Sequence, residues 1–152
     1  MAYAAATTAL DKGVQDGELL SLYMGAVKIV KGSLVCFDAA NGYVTAAAPS
    51  ASRPFAGVAI ETVDNSGGSA GDELIRVATM GVYAFKDTVD THNRALIGKP
   101  VYWDDSADSD SQTVSIVDQG VGALVGRIAK QDTTYVYVRI DGYAFNVDGQ
   151  AN

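Results

Sequence analysis

One histidine, one cysteine and eighteen carboxylates are the groups in this 152-residue chain best able to titrate, attack or coordinate. His92 sits among Asp90, Thr91, Asn93 and Arg94 in a polar connection and reads as an exposed loop residue. No second His or Cys exists to complete a zinc site. Cys36 falls within the apolar run Leu34-Val35-Cys36-Phe37, where a small buried hydrophobe fits better than a nucleophile. The carboxylates of Asp104–Asp110 are spaced somewhat like a calcium loop, but the glycine of the sharp turn and the distal bidentate Glu are missing. A solvated hairpin tip is favoured there over weak calcium binding. Gly120-Val121-Gly122 through Gly126 has closely spaced glycines, yet no helix follows, and a dinucleotide fingerprint needs one. There is neither a Gly-x-Ser-x-Gly elbow nor a phosphate-binding loop. No catalytic residue, metal or cofactor is expected. An enzyme would have to rest on carboxylate pairs, which counting alone does not reveal.

The elements that would position any site are strands. Apolar runs of four to six residues are bounded by Gly, Asn, Asp and Ser, and Gly is frequent while Pro is scarce. The unit Arg53–Phe85 reads as a β-hairpin: Phe55–Ile60, a long polar tip over Asp64–Asp72 where flexibility should concentrate, and Leu74–Ala78, followed by Val82–Phe85. Before it, Ala26–Val30 and Ser33–Phe37 are strands, with Asn41-Gly42 turning the chain into Tyr43–Ala46. After it come Lys86–Ala95 as a connection with room for a helical turn, then strands at Pro100–Trp103, Thr113–Val117, Ala123–Ala129 and Thr134–Ile140. In the last of these Val136 and Val138 should face the core.

The second half echoes the first. Lys31–Asp38 resembles Ile97–Asp104 at an offset of 66, Phe55–Ala59 resembles Leu124–Ile128 at 69, and Ile75-Arg76-Val77 resembles Val138-Arg139-Ile140 at 63. Three blocks in the same order imply a duplicated strand unit sharing one core, as in a small barrel or sandwich. Residues 1–25 read differently. Gly13, Gly17 and Gly25 interrupt any long helix, leaving at most a helical turn at Glu18–Met24. Leu19, Leu20, Leu22, Tyr23 and Met24 crowd five large apolar side chains into six positions. Residues 1–25 read either as a loose terminus with a few residues docked on the core or as an arm that orders against a neighbour. The division expected is an N-terminal arm, 1–25, and an all-β domain, 26–152.

A net charge of −7 opposes sequence-independent nucleic-acid binding and adhesion to an anionic membrane. The aromatic residues are expected in core or interface, since no basic groove accompanies them as in a base-stacking platform. No apolar stretch approaches the roughly 20 residues of a transmembrane helix. The opening residues lack the basic region and apolar core of a signal peptide, so folding in a cytoplasm is expected.

In order along the chain, Lys31-Gly32-Ser33-Leu34-Val35, Phe55-Ala56-Gly57-Val58-Ala59, Asp64-Asn65-Ser66, Val77 to Gly81-Val82-Tyr83, Ile97–Tyr102 and Val136–Ile140 resemble the capsid cement, or head decoration, proteins of tailed bacteriophages. The likeness spans about Ala26–Asp141 and is one of pattern rather than of a diagnostic motif. It implies a compact β-barrel or β-tulip without catalysis or cofactor. It also implies a homo-oligomer, expected to be a trimer, seated on the major capsid protein at the virion exterior after synthesis in the host cytoplasm. Family members often reach the shell or a neighbouring subunit through a terminal arm, which makes Leu19, Leu20, Leu22, Tyr23 and Met24 the candidate contact residues. The competing reading is a β-sandwich surface-binding module, such as a head-fibre or carbohydrate-recognition domain.

Overall fold

A computed structural model of the chain describes residues 18–38, 40–46, 54–86, 93–104, 113–116 and 124–141. They form twelve strands: β1 (Leu19–Tyr23), β2 (Lys28–Ile29), β3 (Leu34–Phe37), β4 (Val44–Thr45), β5 (Phe55–Ala59), β6 (Val63–Asp64), β7 (Leu74–Ala78), β8 (Met80–Lys86), β9 (Pro100–Asp104), β10 (Thr113–Ser115), β11 (Leu124–Gln131) and β12 (Tyr135–Asp141). The expected all-β class is the class observed. The only helical turn among the described residues is a single 3-10 turn at Arg94–Leu96, opened by Asn93, whose Oδ1 accepts from the Ala95 amide.

The strands assemble into a five-stranded sheet ordered β1-β7-β5-β3-β4, a second ordered β10-β9-β11-β12-β8, and a two-stranded β2-β6 pair. The second order, read backwards, is β8-β12-β11-β9-β10. The two large sheets therefore have the same connectivity, and the duplication extends to register. Leu34 pairs with Val58 and Val35 with Gly57, as Pro100 pairs with Arg127 and Val101 with Gly126. Both pairings shift register at the next step, between Val35 and Cys36 in one copy and between Leu124 and Gly126 in the other. The Gly32 amide donates to Ala59 O, and the Gly98 amide to Ile128 O, with φ of 89° and 91° at the two glycines.

Two of the sequence offsets, 66 and 69, are those of the strand pairing. The third is not. Ala59 pairs with Val77 and Ile128 with Val138, so the equivalent positions are Val77 and Val138, at an offset of 61 rather than 63. An apolar–Arg–apolar triplet matches equally well after a slip of two, because strand side chains repeat with period two and such a slip keeps every residue on its face.

Each sheet buries the same face. Val35, Val44, Ala56, Ala59, Ile75 and Val77 line one core; their counterparts Val101, Val114, Val125, Ile128, Val136 and Val138 line the other. Val136 and Val138 are fully buried, as the alternation of this strand predicts. The first core is completed by Met24, by Ile29 of β2 and by half-buried Val63 of β6, elements without a strand counterpart in the described second half. The edges of the first sheet also approach one another. Met24, just past β1, bridges Val44 in parallel, and the Gly25 amide donates to Val44 O at 3.0 Å. The second core receives Leu34, Cys36, Phe55 and Val58 from the far face of the first sheet. Thus β3 and β5 are buried on both faces, and all five residues of β5 are inaccessible.

Residues 18–25, assigned by sequence to an arm or a helical turn, belong to this sheet. Leu19–Tyr23 pairs along its whole length with β7, and Met24 is fully buried. Strand alternation, with Leu20 and Leu22 less exposed than Leu19, Ser21 and Tyr23, replaces the helical reading. Glycines flanking a short apolar run are as compatible with an edge strand as with a helical turn. Residues 1–17 lie outside the described residues.

The polar tip of the central hairpin differs from expectation too. Its residues are tied by Asn65, buried at 3% exposure, whose Nδ2 donates to Gly25 O at 3.0 Å and Ser69 O at 2.9 Å. The Ser69 amide donates to Asp72 Oδ2, the Ser66 amide and hydroxyl both donate to Asp64 Oδ1, and the Gly71 amide donates to Met24 O. Composition alone reads such a stretch as loose; the inward turn of one amide side chain makes it a fastened loop. Asn65→Ala should destabilise the protein by about 1–3 kcal/mol through the loss of two hydrogen bonds, Gly25 O keeping the Val27 amide and Ser69 O the Asp72 amide. Amide exchange at Gly68 and Gly71 should accelerate with it. Unchanged exchange at both sites would show that the loop does not depend on Asn65.

Candidate interaction surfaces

Among the described residues the chemistry-bearing side chains form no metal-ligating cluster, no group of three or more His, Cys, Asp and Glu being arranged to hold an ion. Cys36 is buried in the shared core, with Sγ 3.6 Å from Thr45 O. His92, residues 105–110 and residues 120–122 lie outside the described residues, and so does the comparison of the acidic turn with a calcium loop. No described helix is long and apolar enough to cross a membrane.

What the fold does present is a pair of open two-stranded ribbons. On the first sheet, the β1–β7 ribbon turns Leu19, Tyr23 and Leu74 outward, 40%, 58% and 45% exposed, with Tyr23 directly opposite Leu74. On the second, β8–β12 turns out Val82 and Tyr135, 49% and 44% exposed, with Ala84 opposite Tyr137 and Val82 opposite Arg139. Through the shared register, Leu19 occupies the place of Val82 and Leu74 the place of Tyr135. Of the five candidate contact residues, Leu19 and Tyr23 lie on this outer face. Leu20 is half-buried, Leu22 packs against the first core, and Met24 is inside it. The second ribbon was not singled out from sequence. Its signal was available in the alternation of Tyr135, Tyr137 and Arg139 with the buried valines.

The ribbons differ in charge. Arg127 of β11 stands opposite Arg139, and Lys130 opposite Tyr137, its Nζ 4.6 Å from the ring centre. Among the described side chains this face carries three cations, Arg127, Lys130 and Arg139, within a chain of net charge −7. Val58, the counterpart of Arg127, is buried against the second sheet. The same strand position is apolar where it is covered and cationic where it meets water. Beside β1–β7 the outward ion pair Arg76–Glu61, at 3.3 Å, is locally neutral, but Asp72 and Glu73 border Tyr23 and Leu74. The Arg76 amide, and then its guanidinium, hold the Glu61 carboxyl below its usual range. Between the two ribbons a shallow cleft of about 320 Å³ is lined by Glu18, Met80, Gly81, Val82, Arg139 and Ile140.

The turn joining β11 to β12 is fixed by Asp132. Its Oδ1 accepts from the amides of Tyr135 and Thr134 at 2.7 and 2.8 Å, and its Oδ2 accepts from the Tyr137 hydroxyl at 2.8 Å. These bonds, the Tyr135 amide foremost, lower the Asp132 pKa, while the same carboxylate raises that of the Tyr137 phenol. A carboxyl depressed on folding stabilises the native state above its unfolded pKa, and that contribution is lost as pH falls through the folded value. Wild type should therefore melt above Asp132→Asn at pH 7. The gap should close as pH drops below 3.8, the ordinary carboxylate value. A gap independent of pH would exclude the carboxylate charge as its cause.

Comparison with known protein families, with curated proteins and with solved structures finds no match to this chain.

Proposed function

We propose that this is a non-enzymatic virion structural protein that binds the outer surface of a phage capsid shell and cements its coat lattice. One observation carries the reading: a duplicated, doubly packed β scaffold holds two uncovered ribbons at equivalent places. A lattice offers the same contact many times over. A protein whose two related faces join copies into an oligomer engages such a surface at many points, with modest affinity per contact and large effective concentration. Because it binds the assembled shell and not the dispersed subunits, it stabilises the shell by mass action. The resemblance of the block pattern to that of head decoration proteins supports the same conclusion. In this reading the partners are the major capsid protein and further copies of this chain, a trimer being the expected state.

The test is to add purified protein to expanded capsids lacking it. Saturable occupancy and a higher melting temperature of the decorated shell are expected. Shells that stay bare at saturating protein would overturn the proposal.

A further inference from the structure

We propose that the outer face of β8–β12–β11 docks onto the Tyr23–Leu74 end of the first sheet on a second copy of this chain, joining copies head to tail. This rests on the reading above only in its claim that the protein self-associates, and it names the two surfaces that meet.

The argument is one of shape and sign. The two ribbons occupy the same place in two copies of one strand unit, so they share strand spacing, register and two exposed apolar positions, Leu19 with Val82 and Leu74 with Tyr135. Their borders have opposite charge. Arg127, Lys130 and Arg139 lie across the second ribbon. Two carboxylates lie within two residues of them in sequence: Asp132, which accepts from two amides and the Tyr137 hydroxyl, and Asp141 at the end of β12. Asp72 and Glu73 border Tyr23 and Leu74, in a loop fastened by Asn65, so that these carboxylates are presented on an ordered backbone. Pairing like ribbons would set cation against cation; pairing unlike ones sets cations against carboxylates and apolar centre against apolar centre. Every copy carries one surface of each sign on different halves of the chain. Such a contact is heterologous, so it closes into a ring or continues as a chain and cannot be satisfied by a two-fold dimer.

Sedimentation velocity on the full chain at about 50 mM and about 500 mM salt tests this, because screening should weaken the contact. Wild type should associate at low salt and disperse at high salt. Arg139→Glu and Glu73→Arg, both at exposed positions, should each weaken self-association about tenfold or more while leaving the β circular-dichroism signal intact. In an equal mixture the intact surfaces are opposite in sign and so are the two reversed ones, so the mixture should associate more strongly than either variant alone. Variants that associate as wild type does would overturn the assigned surfaces and leave self-association standing. Monomeric wild type at about 100 μM in low salt would overturn the head-to-tail contact itself. Capsid occupancy, measured on the same samples, separately decides whether the cementing role survives either result.

Discussion

Alanine at Gly57 or at Gly126 is expected to lower the melting temperature by roughly 6–12 °C, and alanine at both to prevent folding. A Cβ at Gly57 would collide with the Ala78 carbonyl oxygen and the Val77 side chain. A Cβ at Gly126 would meet the Arg139 carbonyl oxygen and the Val138 side chain, the corresponding atoms of the other copy. Backbone on a neighbouring strand cannot swing aside as a side-chain tip can, so relief requires moving β7 or β12. At Gly57, φ of 151° adds backbone strain for any L side chain. The combined cost is about 3 kcal/mol, at the high end for overpacking. Gly32 is the control: its φ of 89° is equally unsuited to alanine, but nothing lies within 4 Å of the added Cβ. Gly32→Ala should cost about 1 kcal/mol. If all three substitutions cost the same, close approach of strands is not what requires glycine at the two bulges.

The other large effect is expected at Val138→Asp. Val138 is fully buried in the core to which both sheets contribute, with Phe85, Val101, Val114 and Val136 in the same cluster. A carboxylate there has no cation to pair with inside the cluster, and taking the charge or its neutral form out of water costs several kcal/mol. That is a large part of the 5–15 kcal/mol by which domains are ordinarily stable. The cooperative thermal transition should vanish. Ala84→Asp, one strand over on the solvent face, should change stability by no more than about 0.5 kcal/mol. A Val138→Asp protein that melts close to wild type would mean that β12 turns its other face inward.

Much of the architecture is legible in the chain because strands advertise themselves by alternation and by the turns that end them. The hairpin β5–β7, the hairpin β11–β12 and the burial of Val136 and Val138 follow from those signals alone. The duplication was readable because its two better blocks contain glycines, Gly57 with Gly126 and Gly32 with Gly98, that the backbone needs in both copies. The slipped third block lacks such a marker. Strand β1 was missed for a related reason. Leu19–Tyr23 includes two adjacent leucines at its start, which blurs alternation, and the partner that makes it a strand, β7, is more than fifty residues away. The loop at 64–72 was misread because nothing in its composition distinguishes an amide that turns inward from one that faces water. The interaction surfaces were half visible: apolar residues at 19–24 drew notice, whereas the equivalent ribbon needed the register of both sheets before it could be recognised.

The two-sided burial of β3 and β5 has a consequence for how the molecule is made. By residue 78 the nascent chain holds every strand of the first sheet, and that sheet can pair fully with itself. Yet Leu34, Cys36, Phe55 and Val58, which belong to the second core, have no cover until β9, β11 and β12 have been synthesised. For that interval the half-made protein has an ordered sheet with a bare apolar flank, the kind of species that adheres to its own kind on crowded polysomes. The junction between the halves is a single residue, Thr79, whose amide is held by Glu18 O. It gives the second half little slack, so β8 starts beside the surface that the later strands must close.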